Sequence, residues 1–180
     1  MKANKMNRDR RPSDDECFDY HRNYVAKVPD GDIVQTLSVQ LEDIANFIAN
    51  ILPDQADVVH EPYGWSIRQV IEHCLDAERV FGYRILRFAT GDKTDLPGWD
   101  ENTYASTDYG PDASIFQLGQ EFAFVRQSNL MLLSRLSESA WNEVGLADGR
   151  KVSVRTLAWL MAGHWLHHHE ILKKRLETAG

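Results

Sequence analysis

The sequence predicts an all-α fold, a four-helix bundle, and three observations carry that prediction. Four long stretches place apolar residues every three or four positions, the period of an amphipathic helix. Each opens at an Asp or Ser that can cap a helix. No alternating strand pattern extends beyond a short pair of segments near residue 148. Helices without a sheet bury their apolar stripes against one another, and four of them make a bundle.

The bulk composition is consistent with this. At 180 residues the chain suits one domain with a substantial core, and 43% hydrophobic with 26% charged residues is ordinary for a globular protein. A formal net charge of -7 argues against nucleic acid as partner, because phosphate binding needs a basic face. Cys17 and Cys74 make no disulfide framework and read as reduced, which points to the cytoplasm. The polar start, with Arg8, Arg10 and Arg11 and no apolar run behind them, reads as neither a signal peptide nor a membrane anchor. Residues 1–14 are expected to be a disordered, solvated tail, and residues 15–180 a single domain.

Taken in order, Glu16 to Val28 reads as a short helix through Phe18, Tyr20, Tyr24, Val25 and Val28. Pro29-Asp30-Gly31-Asp32 ends it and supplies a cap for the first long helix, whose stripe is Ile33, Leu37, Leu41, Ile44, Phe47, Ile48 and Ile51. Pro53 stops that helix. Ser66 and Gln69 have capping-box spacing and open the second, which runs to Thr90-Gly91 with Ile67, Val70, Cys74, Ala77, Phe81 and Ile85 inward. Ile71, Leu75 and Leu86 form a second apolar strip there, suited either to a dimer contact or to further burial within the chain.

Residues 91–111 are too rich in Gly, Pro and Asp for a core element. So long a connection serves either as a pocket wall or as a wrapping loop anchored by Trp99 and Tyr104. Ser114 and Gln117 repeat the capping box for a third helix to about Leu136. Its stripe is Phe116 or Leu118, then Phe122, Val125, Leu130, Leu133 and Leu136. Asp148-Gly149 marks a tight turn, and Ser153 caps the fourth helix, Val154 to about Glu177.

The chemistry concentrates in histidines. At ~100° per residue, His164 and His168 share the inward stripe of the fourth helix with Leu157, Met161, Ile171 and Leu172. His167 lies to one side and His169 points towards solvent, so the run of adjacent histidines overstates the cluster. His73 flanks the core stripe of the second helix, beside Gln69 and Asp76. Three imidazoles facing one interior need partners, and a metal ion satisfies all three; hydrogen bonds to one another or to backbone, with no metal, are the alternative. Ligands from facing helices are how bundles assemble such sites, and three of them leave a position open for water or substrate. His21 and His60 read as solvated. No residue stands out as a general base.

The chain resembles the DinB/YfiT-like superfamily. The residues that carry the resemblance are Trp65-Ser66-Ile67-Arg68-Gln69-Val70-Ile71-Glu72-His73-Cys74-Leu75-Asp76, Leu96-Pro97-Gly98-Trp99-Asp100-Glu101, and Val152-Ser153-Val154-Arg155 with Ala162-Gly163-His164-Trp165-Leu166-His167-His168. The resemblance implies a four-helix bundle, often homodimeric, with a divalent metal on three histidines whose positions here are His73, His164 and His168. Family members include thiol-dependent S-transferases, a mycothiol-dependent isomerase and proteins described as metal-dependent hydrolases.

Imidazole ligation suits zinc or nickel. The leading expectation is a metal-dependent enzyme that activates a low-molecular-weight thiol for S-transfer to a small-molecule substrate. The alternatives are a metal-dependent hydrolase and a non-catalytic metal-binding stress-response protein. Asp76 could orient a ligand imidazole or form a surface salt bridge, and Arg84 could meet an anionic substrate or remain an ordinary surface arginine.

Overall fold

Each long helix begins where its capping side chain stands. Asp32 accepts from the backbone N–H groups of Val34 and Gln35, at 2.9 and 3.4 Å. Ser66 with Gln69 and Ser114 with Gln117 close both halves of their capping boxes. Ser153 accepts from the Thr156 N–H at 3.0 Å. The computed structural model describes residues 5–107 and 113–177.

The four main helices are α3 (Ile33–Ala49), α5 (Ile67–Ala89), α7 (Ile115–Ser134) and α9 (Val154–Glu177). Shorter helices decorate them: α1 (Lys5–Arg8), α2 (Asp19–Val25), α4 (Pro53–Ala56), α6 (Glu101–Ser106) and α8 (Glu138–Trp141), with a 3-10 turn at Asp14–Glu16. Strands β1 (Val144–Ala147) and β2 (Arg150–Ser153) pair antiparallel, Val144 opposite Ser153 and Ala147 opposite Arg150. Their turn residues, Asp148 and Gly149, both have positive φ, 56° and 69°, which matches the twist of a two-residue hairpin.

The order of packing explains the long connections. α3 packs on α7 and α9, and α5 packs on the same two, so the ring runs α3–α7–α5–α9. Consecutive helices α3 and α5 therefore lie diagonally, as do α7 and α9. Core membership also gives direction. One apolar cluster holds Leu37, Ile85, Leu130 and Met161, and the other holds Ile44, Leu75, Phe122 and Trp165. α3 and α9 thus run one way and α5 and α7 the other. Parallel neighbours and diagonal partners cannot be joined by a tight turn, so a long connection is needed between α5 and α7.

A polar layer separates the two apolar clusters. Gln40, Glu78, Arg126 and Asn129, one or two from each of three helices, are all buried there. Arg126 donates to both Glu78 carboxylate oxygens, Nε to Oε1 at 2.7 Å and Nη2 to Oε2 at 3.0 Å. Its Nη1 reaches the Gln40 side-chain oxygen at 3.1 Å, and the Gln40 amide donates to the Ala162 carbonyl of α9. Asn129 donates to Glu78. With all three Arg126 nitrogens and both Glu78 carboxylate oxygens engaged, the layer is tolerated in a core.

One expectation changes and two open alternatives are decided. The segment expected to float free is held against the body: Arg11 donates to the Val25 and Val28 carbonyls at 2.6 Å and stacks over the Trp159 ring, and Pro12 is buried. Arg155, 1% exposed, draws in Glu16 and Asn7 because a buried guanidinium needs partners. Residues 1–4 of that segment lie outside the described residues. On α7 the inward residue is Leu118, while Phe116 is exposed. Of the second strip on α5, Ile71 and Leu75 are buried within the chain, and only Leu86 reaches the surface.

Candidate metal centre

His164 and His168 stand one turn apart on α9, and α5 brings His73 across to them. His73 Nε2 lies 2.9 Å from His164 Nε2, and His168 Nε2 lies 3.2 Å from the same atom. The ligating atoms of all three fall within 4.8 Å of one another. His73 and His164 are buried and His168 is partly so.

Protons alone serve this arrangement poorly. Each neutral ring nitrogen carries either one hydrogen or one lone pair. His164 Nε2 can therefore donate to one neighbour or accept from one, and cannot satisfy both. A cation that takes all three lone pairs resolves the conflict, and ligand atoms ~2.0–2.1 Å from a tetrahedral zinc are spaced about 3.3 Å apart. The residues present fit a divalent metal.

Electrostatics hold the rings in the ligating form. Burial lowers the pKa of His73 to about 4. Burial, reinforced by His73, takes His168 to about 3, and burial holds His164 well below the usual imidazole range. All three are neutral at pH 7, as metal binding requires.

Aromatic contacts orient the histidines. The His73 ring sits between Trp65, 5.0 Å away, and Trp99, which stacks on it at 5.5 Å and 15°. Its Nδ1 is buried with no hydrogen-bond partner among the described residues, so stacking does what an outer-shell hydrogen bond usually does. Trp99 is delivered by the long connection, which is pinned to the hairpin through backbone bonds from Leu96 to Leu146 and from Asp148 to Leu96. The pocket-wall reading of that connection is the one the fold adopts.

From the other side, α2 covers the site. Tyr24 meets His164 and His167 edge-on, at 5.4 and 5.2 Å, and shares a 2.7 Å hydroxyl contact with Tyr20. Burial, together with that contact, raises the Tyr24 phenol and keeps it protonated. Gly163 lets α2 approach this closely, since a Cβ there would fall 2.1 Å from the Tyr24 carbonyl oxygen. Gly163→Ala is expected to cost about 1–3 kcal/mol by overpacking against backbone. A lowered urea midpoint, with altered aromatic NMR shifts for Tyr24, checks it.

A cavity of about 200 Å³ opens beside His73 and His164. Phe18, Tyr20, His21 and Tyr24 wall it from α2, Phe81 and Arg84 from α5, Trp99 and Glu101 from the connection, Asp148 and Arg150 from the hairpin, and Leu157 and Leu160 from α9.

Several sequence expectations are revised here. His169 does not point into solvent: it stacks on Trp165 at 5.2 Å and 13° and meets Phe47 edge-on. His21 lines the cavity, and burial, with Arg84 and Arg150 nearby, lowers it to about 4. His60 meets Arg175 at 3.3 Å. Asp76 takes the salt-bridge alternative, pairing with Arg79 at 3.2 Å. Sequence reasoning missed α2 as a cavity wall, although four aromatic rings in seven residues, Phe18 to Tyr24 with His21 included, were a signal. It also missed Glu78 and Arg126, each a charge standing four residues from an inward apolar position.

No curated protein matches the chain. Among solved structures, one similar chain is YfiT from Bacillus subtilis, described as "a probable metal-dependent hydrolase with an unusual four-helix bundle topology". It aligns with a TM-score of 0.69 at 14% identity, over 96% of this chain and 94% of that one. The mycothiol-dependent maleylpyruvate isomerase aligns at 0.64 and 15% identity, over 81% of this chain and 61% of that one, and a histidine-to-alanine variant of it aligns equally. Identities this low speak for the fold alone. The family model of the DinB superfamily matches residues 36–172, which reaches from within α3 to within α9, and the chain belongs to that superfamily.

Proposed function

We propose that the chain holds a divalent metal, zinc or nickel, on His73, His164 and His168 and acts as a metal-dependent enzyme on a small molecule. The observation that carries this reading is the convergence of three neutral imidazole nitrogens beside a walled cavity. A bound ion would supply Lewis-acid activation of a thiol or water at its open position. The leading activity is S-transfer from a low-molecular-weight thiol, which the likeness to a mycothiol-dependent isomerase supports. Hydrolysis is the second reading, supported by the description of YfiT.

The chain's own residues have definable parts in either reaction. Phe18, Phe81, Leu157 and Leu160 keep bulk water from the cavity. Tyr24, hydrogen-bonded to the Tyr20 hydroxyl, brings a hydroxyl to the cavity, and Glu101 places a carboxylate on its wall. Two free, buried cysteines support a cytoplasmic location, and among the described residues no helix is long and apolar enough to cross a membrane. A homodimer now rests on exposed Phe116, Phe124 and Met131 of α7 rather than on Ile71 and Leu75.

The test is elemental analysis of protein purified without a nickel column, followed by assays of the metal-loaded enzyme. Bacillithiol- or mycothiol-type thiols would be paired with electrophiles, beside ester and amide substrates. One metal per chain and thiol-dependent turnover are expected. Ester or amide turnover without thiol would favour hydrolysis. Bound metal without activity, but with a melting temperature that drops on chelation, would favour a structural role.

A further inference from the structure

The cavity has a second chemical feature, on the side formed by α2, the hairpin and the C-terminal half of α5. Arg84 stands eleven residues after His73, a turn of about 20° and a rise of about 16 Å, so both lie on one face of α5. Side chains on a helix lean towards its N-terminus, which turns the Arg84 guanidinium back towards the histidines. Arg150, stacked 5.3 Å over the Phe18 ring, lines the same cavity, as does His21.

These cations are under-compensated. Neither Arg84 nor Arg150 has a carboxylate within ion-pair distance among the described residues, and Arg84 donates only to the Pro97 carbonyl, at 3.0 Å. Asp148 and Glu101 also face the cavity. Asp148 does stabilise the Arg84 charge, but burial outweighs it and the guanidinium pKa is lowered. His21 Nδ1 is buried without a partner, and both arginines bear on that ring with no opposing acid. A half-buried cation short of counter-charge is a ready oxyanion receptor, and guanidinium matches a carboxylate in plane and spacing.

We propose that this side of the cavity binds the carboxylate of a small organic acid, with its apolar body along Phe81, Leu157 and Leu160 and its far end towards the histidines. The volume sets the size. About 200 Å³ equals roughly seven waters at ~30 Å³ each, so the enclosed ligand is a short-chain or single-ring acid. The apolar lining favours a carbon-bearing acid over inorganic phosphate. The orientation towards the histidines rests on the metal reading, whereas capture of the carboxylate does not.

Titration calorimetry of metal-stripped protein with benzoate, benzamide and inorganic phosphate separates these ideas. Benzoate is expected to bind at least ten-fold more tightly than its neutral isostere benzamide and more tightly than phosphate. Arg84→Gln should weaken benzoate by ten-fold or more, the scale of a charge-assisted hydrogen bond. Arg150→Gln, on the exposed hairpin rim and remote from core packing, should weaken it several-fold. Equal affinity for benzoate and benzamide overturns the proposal, as does benzoate binding that neither substitution alters. Phosphate preferred to benzoate overturns the assignment to an organic acid. Benzoate binding only to metal-loaded protein, with equal strength in Arg84→Gln, would place the carboxylate on the ion and overturn the subsite while leaving the metal reading intact. Carboxylate capture by a protein that takes up no metal would do the reverse.

Discussion

His164→Ala should leave the protein without stoichiometric metal. His164 is the ring that contacts both of the others, at 2.9 and 3.2 Å, so its loss leaves His73 and His168 without their shared neighbour. Structural zinc on four ligands is worth ~10–16 kcal/mol, or roughly 2.5–4 kcal/mol per ligand, and one ligand fewer should weaken binding about 70- to 900-fold. The metal-dependent part of the melting temperature should disappear with it. His169→Ala is the informative control. It removes a stacked ring from Trp165, about 0.5–1.5 kcal/mol, yet should keep the metal. Elemental analysis of both variants decides, and a full equivalent of metal in His164→Ala would overturn the ligand assignment.

Glu78→Ala is expected to give the largest loss of stability in the chain. It deletes the carboxylate that receives two bonds from Arg126, a guanidinium with 0% exposure, and it also removes an acceptor from Asn129. Stranding one member of a buried pair costs about 3–5 kcal/mol. In a chain of this size that lowers the melting temperature by roughly 6–20 °C, and it consumes much of a typical ~5–15 kcal/mol stability. Replacing both members, Glu78→Leu with Arg126→Met, should cost less than Glu78→Ala, because the desolvation of two charges is removed together. Thermal melts followed by circular dichroism separate these outcomes. A single variant as stable as the parent would mean that the layer is not held by this pair.

How much of this was legible in the sequence differs from residue to residue. Asp32, Ser66, Ser114 and Ser153 announced the helix starts because a cap is satisfied within one turn, entirely by local chain. His164 and His168 could be placed on one face because helix geometry alone fixes the angle between them. His169 was legible in direction but not in surroundings. The same geometry turned it from the histidine cluster, yet Phe47 and Trp165 were there to receive it. The first residues looked solvated because their composition is polar, and composition does not reveal a buried Arg155 in want of partners.

By itself, then, the sequence determined four amphipathic helices, their caps, the hairpin turn at Asp148-Gly149, and the pairing of His164 with His168 on one stripe. Only the tertiary structure decided that α3, α7, α5 and α9 close a ring in that order, which brings His73 to His164, sets Glu78 against Arg126, and encloses a cavity under α2. The reason is physical: periodicity gives a residue's angle on its own helix, whereas contacts between helices depend on which neighbours the ring supplies and how far each is shifted along its axis.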